Sequence, residues 1–147
     1  MADILHEITI AAPAAPVFEA VTSERGLKSW WTDDVRAEPK SGTVAEFGFF
    51  SHGTVFRMRI DRLAAPTEVR WTCIGGPEDW IGTTVDFALL PGEDGGTTLS
   101  FKHGGWRQAS SHFARCSTTW GLLMHRLKGY AEGKGARPYF VGPGVAE

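Results

Sequence analysis

Between residues 43 and 103, apolar side chains recur at every second position in five successive runs separated by turn formers. Residues 43–50 place Ala45, Phe47 and Phe49 on one face, and residues 54–63 place Phe56, Met58 and Ile60 opposite Arg57, Arg59 and Asp61. Residues 68–74 set Val69, Trp71 and Cys73 against Arg70 and Thr72. Residues 82–90 align Val85, Phe87 and Leu89, and residues 97–103 align Leu99, Phe101 and His103. Gly53, Pro66, Gly75-Gly76-Pro77 and Glu93 to Gly96 punctuate the runs. A period of two with one wet and one dry face is the pattern of an antiparallel sheet. Such a sheet must cover its dry face with another layer.

The cover is encoded next. From about Ser110 to Glu132, Phe113, Cys116, Trp120, Leu123, Met124, Leu127 and Ala131 fall within roughly a 100° arc at helical spacing. Gly133 and Gly135 stop that helix. At the other end, residues 3–10 read as a strand. Two short helices follow at about 14–21 and 24–31, with Pro13 and Pro16 at the first start and Ser23 as N-cap of the second. Val17, Phe18 and Val21 form one helical face, and Leu27, Trp30 and Trp31 another. The expected fold class is therefore α+β: a curved antiparallel sheet of about six strands wrapped around a long C-terminal helix. We expect one domain over residues 1–136 and a Gly/Pro-rich tail over 137–147, loosely held unless Tyr139 and Phe140 dock.

Composition excludes several classes. A net charge of −2 argues against a dedicated nucleic-acid binder. No stretch reaches the roughly 18 apolar residues of a membrane span, and Asp3, His6 and Glu7 interrupt any signal-like run, so a cytoplasmic protein is expected. Cys73 and Cys116 form no Cys-x-x-Cys pair, and the histidines show no metal spacing, so neither metal nor cofactor is expected. Charge is unevenly distributed: Lys102 to Arg137 carries seven bases against Glu132 alone. That bias reads either as internal complementarity or as a basic face for an acidic partner.

A curved sheet meeting a straight helix leaves a gap that bulky side chains either fill or line. The candidates to line it are Trp30, Phe47, Phe49, Met58, Trp71, Cys73, Phe87, Phe101, His103, Cys116, Trp120 and Met124. Within the tryptophan pair, Trp31 is assigned to the core and Trp30 to the pocket wall. Trp80 and Trp106 follow glycine turns at strand ends, as gates or a dimer surface, or as caps on the core edge. His103 is the one histidine on the dry face, where no carboxylate falls. His112 and His125 lie off the apolar stripe and are assigned to solvent.

Several motifs carry a resemblance. The pattern Ala12-Pro13, Val17-Phe18, Ala20, Thr22, Leu27, Trp30-Trp31 resembles the START-related SRPBCC superfamily, which has the helix-grip fold. Val69 to Cys73, Thr98 to Trp106, and Trp120, Met124, Leu127, Tyr130 and Gly133 are similar to its bacterial branch named for the heat-shock ATPase activator C-terminal domain. The resemblance implies a cavity between sheet and long helix that takes a small hydrophobic or amphipathic molecule. The co-chaperone activity is not implied, because no chaperone-contacting motif carries over.

Noncatalytic binding of a small hydrophobic ligand is the leading reading, since the dry face is aromatic and almost free of ionisable groups. Two alternatives stay open: a cyclase- or hydrolase-like enzyme using His103, and a protein-binding adaptor or co-chaperone-like module using the basic helix face around Arg115 and Arg126; a homodimer is left open as well.

Overall fold

The computed structural model describes residues 1–145. The five alternating runs form β3 (Val44–Phe49), β4 (Thr54–Ala64), β5 (Glu68–Gly75), β6 (Thr84–Pro91) and β7 (Thr97–Trp106), preceded by β1 (Ala2–Ile10) and β2 (Asp34–Arg36). Together they make one antiparallel sheet in the order β1-β7-β6-β5-β4-β3-β2. β2 makes the sheet seven-stranded and lies in a stretch rich in turn formers. Of its three residues only Val35 is buried, too few for alternation to show.

The wet face is knitted by charge. Register sets Glu46 opposite Arg57 and Arg70 opposite Asp86, and both pairs form ion pairs, at 3.6 and 2.6 Å. Exposed cross-strand pairs of this kind contribute about 0.2–1 kcal/mol each, so they fix register more than stability.

Two short helices, α1 (Ala14–Thr22) and α2 (Glu24–Trp30), meet at Ser23, whose hydroxyl accepts from the Gly26 amide at 2.9 Å and caps α2. The helices nearly touch there. A Cβ on Gly26 would lie 2.8 Å from the Ala20 Cα, a distance only glycine avoids. The Trp30 indole N–H donates to the Ala20 carbonyl at 2.8 Å and closes the junction.

The long helix α3 (Ser111–Ala131) crosses the dry face, with Ser110 Oγ accepting from the Phe113 amide. Trp120, Leu123, Met124 and Leu127 are buried, whereas Phe113 and Cys116 are only half-buried. The helix is thus sealed along its C-terminal part and open toward its N-terminus. Its C-terminal end is clamped: Glu132 accepts from the Ala11 amide at 2.7 Å and pairs with Lys128 and Lys134. Lys128, the Ala11 amide and Lys134 hold the Glu132 carboxyl down at about 2. Among the described residues no helix is long and apolar enough to cross a membrane.

The tail docks through both of its aromatic residues. The Phe140 amide donates to the Trp31 carbonyl at 2.9 Å, and the Asp33 amide donates to the Phe140 carbonyl at 3.1 Å. The Arg126 guanidinium lies 5.2 Å from the centre of the Tyr139 ring and donates to the Arg137 carbonyl. A two-stranded ribbon, β8 (Phe140–Val141) and β9 (Gly144–Val145), follows.

The β3–β4 turn is strained. Phe50, Ser51 and His52 have φ of 56°, 56° and 66°, a left-handed run that side chains disfavour. Neighbours hold it there: the Ser51 amide donates to the Gly142 carbonyl at 2.8 Å, and His52 Nδ1 meets Asp34 Oδ2 at 2.6 Å. Replacing Ser51 by glycine relieves one strained position without touching the amide bond. The expected gain is about 0.5–1 kcal/mol, read as a higher denaturant midpoint with an unchanged slope.

Candidate ligand-binding cleft

A cleft of about 450 Å³ opens where the N-terminal part of α3 stands off the sheet. One wall is helical: His112, Arg115, Cys116, Thr119, Trp120 and Leu123. The opposite wall comes from Phe49, Phe50, Thr54 and Phe56 around the β3–β4 hairpin. Pro77 and Trp80, between β5 and β6, close one side, and Trp31 and Phe140 close the other. The rings brace one another. Trp120 packs 5.1 Å from Trp31 and 6.2 Å from Trp80 between ring centres, Phe56 meets Trp80 edge-on at 4.5 Å, and Phe140 meets Phe49 at 4.9 Å. Offset and edge-to-face packing of this kind gives rigid apolar walls.

Polar groups are few. His112 Nδ1 pairs with Asp79 Oδ2 at 3.0 Å, and Arg115 donates to Ser111 Oγ at 2.7 Å. The Trp80 indole nitrogen is buried with no hydrogen-bond partner. It lies beside Cys116, near enough to favour a thiolate there but without hydrogen-bond geometry to the thiol. Burial outweighs that help and pushes the Cys116 thiol up, so the side chain stays protonated and unreactive at neutral pH. Burial likewise raises the Cys73 thiol. Among the described residues no cluster of His, Cys, Asp and Glu is arranged to hold a metal ion.

His103 sits behind the wall, fully buried, with both ring nitrogens committed. The Trp120 indole can only donate, so His103 Nδ1, 3.1 Å away, accepts. The Thr83 hydroxyl donates to the Trp80 carbonyl at 2.6 Å, so Thr83 Oγ1 accepts from His103 Nε2–H at 2.8 Å. The chain of bonds fixes one neutral tautomer and links α3 to the loop that carries Trp80. Burial, with a minor contribution from His112, pulls its pKa to about 3.

Of the residues singled out in the sequence, Phe49, Cys116 and Trp120 line the cleft. Phe47, Met58, Trp71, Cys73, Phe87, Phe101 and Met124 are buried in the packed interior away from it. The two tryptophans exchange their expected places. Trp31 is a wall residue, and Trp30 is enclosed at the α1–α2 junction. His112, assigned to solvent, is half-buried in the wall, packed edge-on 5.6 Å from the buried Trp106 and paired with Asp79. Trp80 and Trp106 are both buried, Trp80 in the wall and Trp106 packed 4.9 Å from His103 and 5.4 Å from Phe113. Phe50, Thr54, Phe56, Pro77, Arg115, Thr119, Leu123 and Phe140 complete the lining. The helical stripe does carry a signal for Thr119, which follows Cys116 by three positions.

Comparison with known proteins agrees with this architecture. The family described as Activator of Hsp90 ATPase homolog 1-like protein matches residues 11–132. The solution structure of the Aha1 dimer from Colwellia psychrerythraea is 31% identical with a TM-score of 0.82, covering 91% of this chain and 98% of that one. A Staphylococcus saprophyticus crystal structure shares 16% identity at a TM-score of 0.78, covering 95% of this chain and 98% of its own. A Bacillus halodurans solution structure shares 23% at 0.72, covering 90% and 98% respectively. These last two show the fold alone. No curated protein matches. With a family match over most of its length and the helix-grip sheet wrapped on α3, the chain belongs to the Activator of Hsp90 ATPase homolog 1-like family.

Proposed function

We propose that this protein binds a small, largely apolar molecule in the cleft between the β3–β4 hairpin and the N-terminal part of α3, in a single domain over residues 1–136 to which the tail adds Phe140 as a wall residue. The observation that carries this reading is the braced aromatic cleft itself, walled on every side by rings that pack on one another. Its volume falls within the roughly 300–1,000 Å³ of small-molecule sites, whose walls are mostly apolar with few polar groups.

The test is native mass spectrometry of the purified protein alongside Thr119→Trp, which fills the cleft from the helix side. The expected result is a retained small-molecule mass on the natural chain that is lost in Thr119→Trp, with the circular dichroism spectrum unchanged. An adduct that survives the filled cleft overturns the reading.

The catalytic alternative draws no support from His103, which is sequestered behind the wall in a neutral, doubly bonded state. For the adaptor alternative, Arg126 is engaged with the tail, which weakens the basic face. The Colwellia relative is described as a dimer, and we extend that state to this chain. Sedimentation equilibrium is expected to give twice the 16.0 kDa chain mass.

A further inference from the structure

We propose that the β8–β9 ribbon of the tail and the β3–β4 turn at residues 50–53 form one flap, which opens to pass a small apolar ligand and closes over it. This rests on the cleft being a binding site and adds how an occupant enters and leaves.

The walls of the cleft are rooted to different depths. Trp31, Trp80, Trp120 and Leu123 are buried in the core, so none of them moves without disrupting it. None of the described residues from 137 onward is fully buried, and none from 50 to 54 is. Phe50 lines the cleft yet keeps 52% of its surface exposed. Segments with few buried apolar contacts and exposed backbone bonds open well before the whole chain unfolds. The ribbon and the turn also hold each other. The Ser51 amide donates to the Gly142 carbonyl at 2.8 Å, and the Phe140 ring stands edge-on to Phe49 at 4.9 Å and to Phe50 at 6.1 Å. The remaining ties of the ribbon run to the chain leading into β2, through the backbone bonds of Phe140 with Trp31 and Asp33 and a bond from the Gly142 amide to Asp33 Oδ2 at 3.2 Å. Tyr139, under the Arg126 guanidinium, marks the fixed end about which the ribbon swings. The turn supplies the drive to open. Its left-handed run from Phe50 to His52 is kept in place by the Gly142 carbonyl and by Asp34, and releasing the ribbon removes the first of these. Strain stored beside a ligand site is a feature of clamps and switches.

Stopped-flow fluorescence with the uncharged aromatic probe N-phenyl-1-naphthylamine separates a flap from a fixed wall, because only a flap governs the association rate. Phe140→Ala removes the ring that docks the ribbon on the turn. With the open form populated at about 1–10% in the natural chain, this variant is expected to associate about 10–100-fold faster. A fixed wall would show its loss in the dissociation rate alone. Ser51→Gly acts in the opposite direction, since it eases the closed turn and keeps the amide that bonds Gly142. Its association is expected to slow by about two- to fivefold. Hydrogen exchange of the natural chain should show the Ser51, Asp33 and Phe140 amides opening together, well before those of β5 and β6, and slowing once the probe is bound. Association rates unchanged in both variants, or those three amides as protected as β5 and β6, overturn the flap while leaving the cleft as a site. Probe binding that persists in Thr119→Trp, or no binding to the natural chain, overturns the cleft reading and the flap with it.

Discussion

Trp31→Ala is expected to lower stability by about 3–5 kcal/mol, the range for removing a large buried aromatic side chain. Trp31 is 2% exposed and its ring lies 4.4 Å from Phe47, 5.1 Å from Trp120, 5.8 Å from Trp30 and 6.3 Å, nearly parallel, from Trp71. It joins α2, the sheet and α3 in one contact. Because it also walls the cleft, its removal merges the cleft with the new void, so the surroundings have little reason to collapse and recover the loss. For a chain of this size the melting temperature should fall by roughly 10–20 °C. Trp31→Phe keeps a ring against Phe47 and Trp120, and calorimetry should show it recovering more than half of the loss. A fall of only a few degrees in Trp31→Ala would mean that the cluster is not the keystone of the core.

The second large effect depends on pH. His103 has a folded-state pKa of about 3 against an ordinary value of 6.5, because burial penalises the imidazolium, His112 lies nearby, and Nδ1, which would take the proton, faces the Trp120 N–H donor. The unfolded chain therefore binds the proton more readily than the folded one between those values. Stability is at its plateau above pH 6.5 and declines as pH falls through 6.5 toward 3, by about 1.4 kcal/mol per pH unit. By pH 4.5 the loss is on the order of 2–3 kcal/mol. Below 4.5, the usual value for its carboxyl, Glu132 adds to the decline, since its folded-state pKa is depressed to about 2. Guanidinium midpoints measured across this range should slope downward from near 6.5. In His103→Gln, whose side chain cannot take up a proton, the slope between 6.5 and 4.5 should flatten while the lower limb remains. An imidazole that titrates near 6 in the folded protein by NMR would refute this account.

The parts of the fold that announced themselves in the sequence are those where one periodicity persists long enough to be counted. β4 alternates Met58 and Ile60 with Arg57, Arg59 and Asp61, and α3 repeats its stripe from Cys116 to Leu127. β2 has three residues and one inward side chain, and was invisible for that reason. The cleft was less legible. Phe49 and Phe47 occupy the same face of the same strand, yet Phe49 lines the cleft and Phe47 is packed away from it. Alternation says which face a residue takes, not how closely α3 approaches that point of the sheet. Nor could local pattern find Phe140, which reaches the cleft only because its amide and carbonyl bond to the chain around Trp31. His112 illustrates a third gap: its neighbours Trp106 and Asp79 belong to other elements.

The strand order has a consequence for synthesis. β1 pairs with β7, its Ala2 opposite Trp106 and its Ile10 opposite Thr97. β1 therefore waits for roughly ninety further residues of synthesis before it finds its neighbour, and α3 comes later still. At roughly 5–20 residues per second, some 5–20 seconds pass with that strand unpaired and the aromatic face of the growing sheet uncovered. Such a nascent chain is a natural client for holding chaperones. The closing of the sheet at β1 must follow the synthesis of β7, and a long-range pairing of this kind slows folding relative to local contacts.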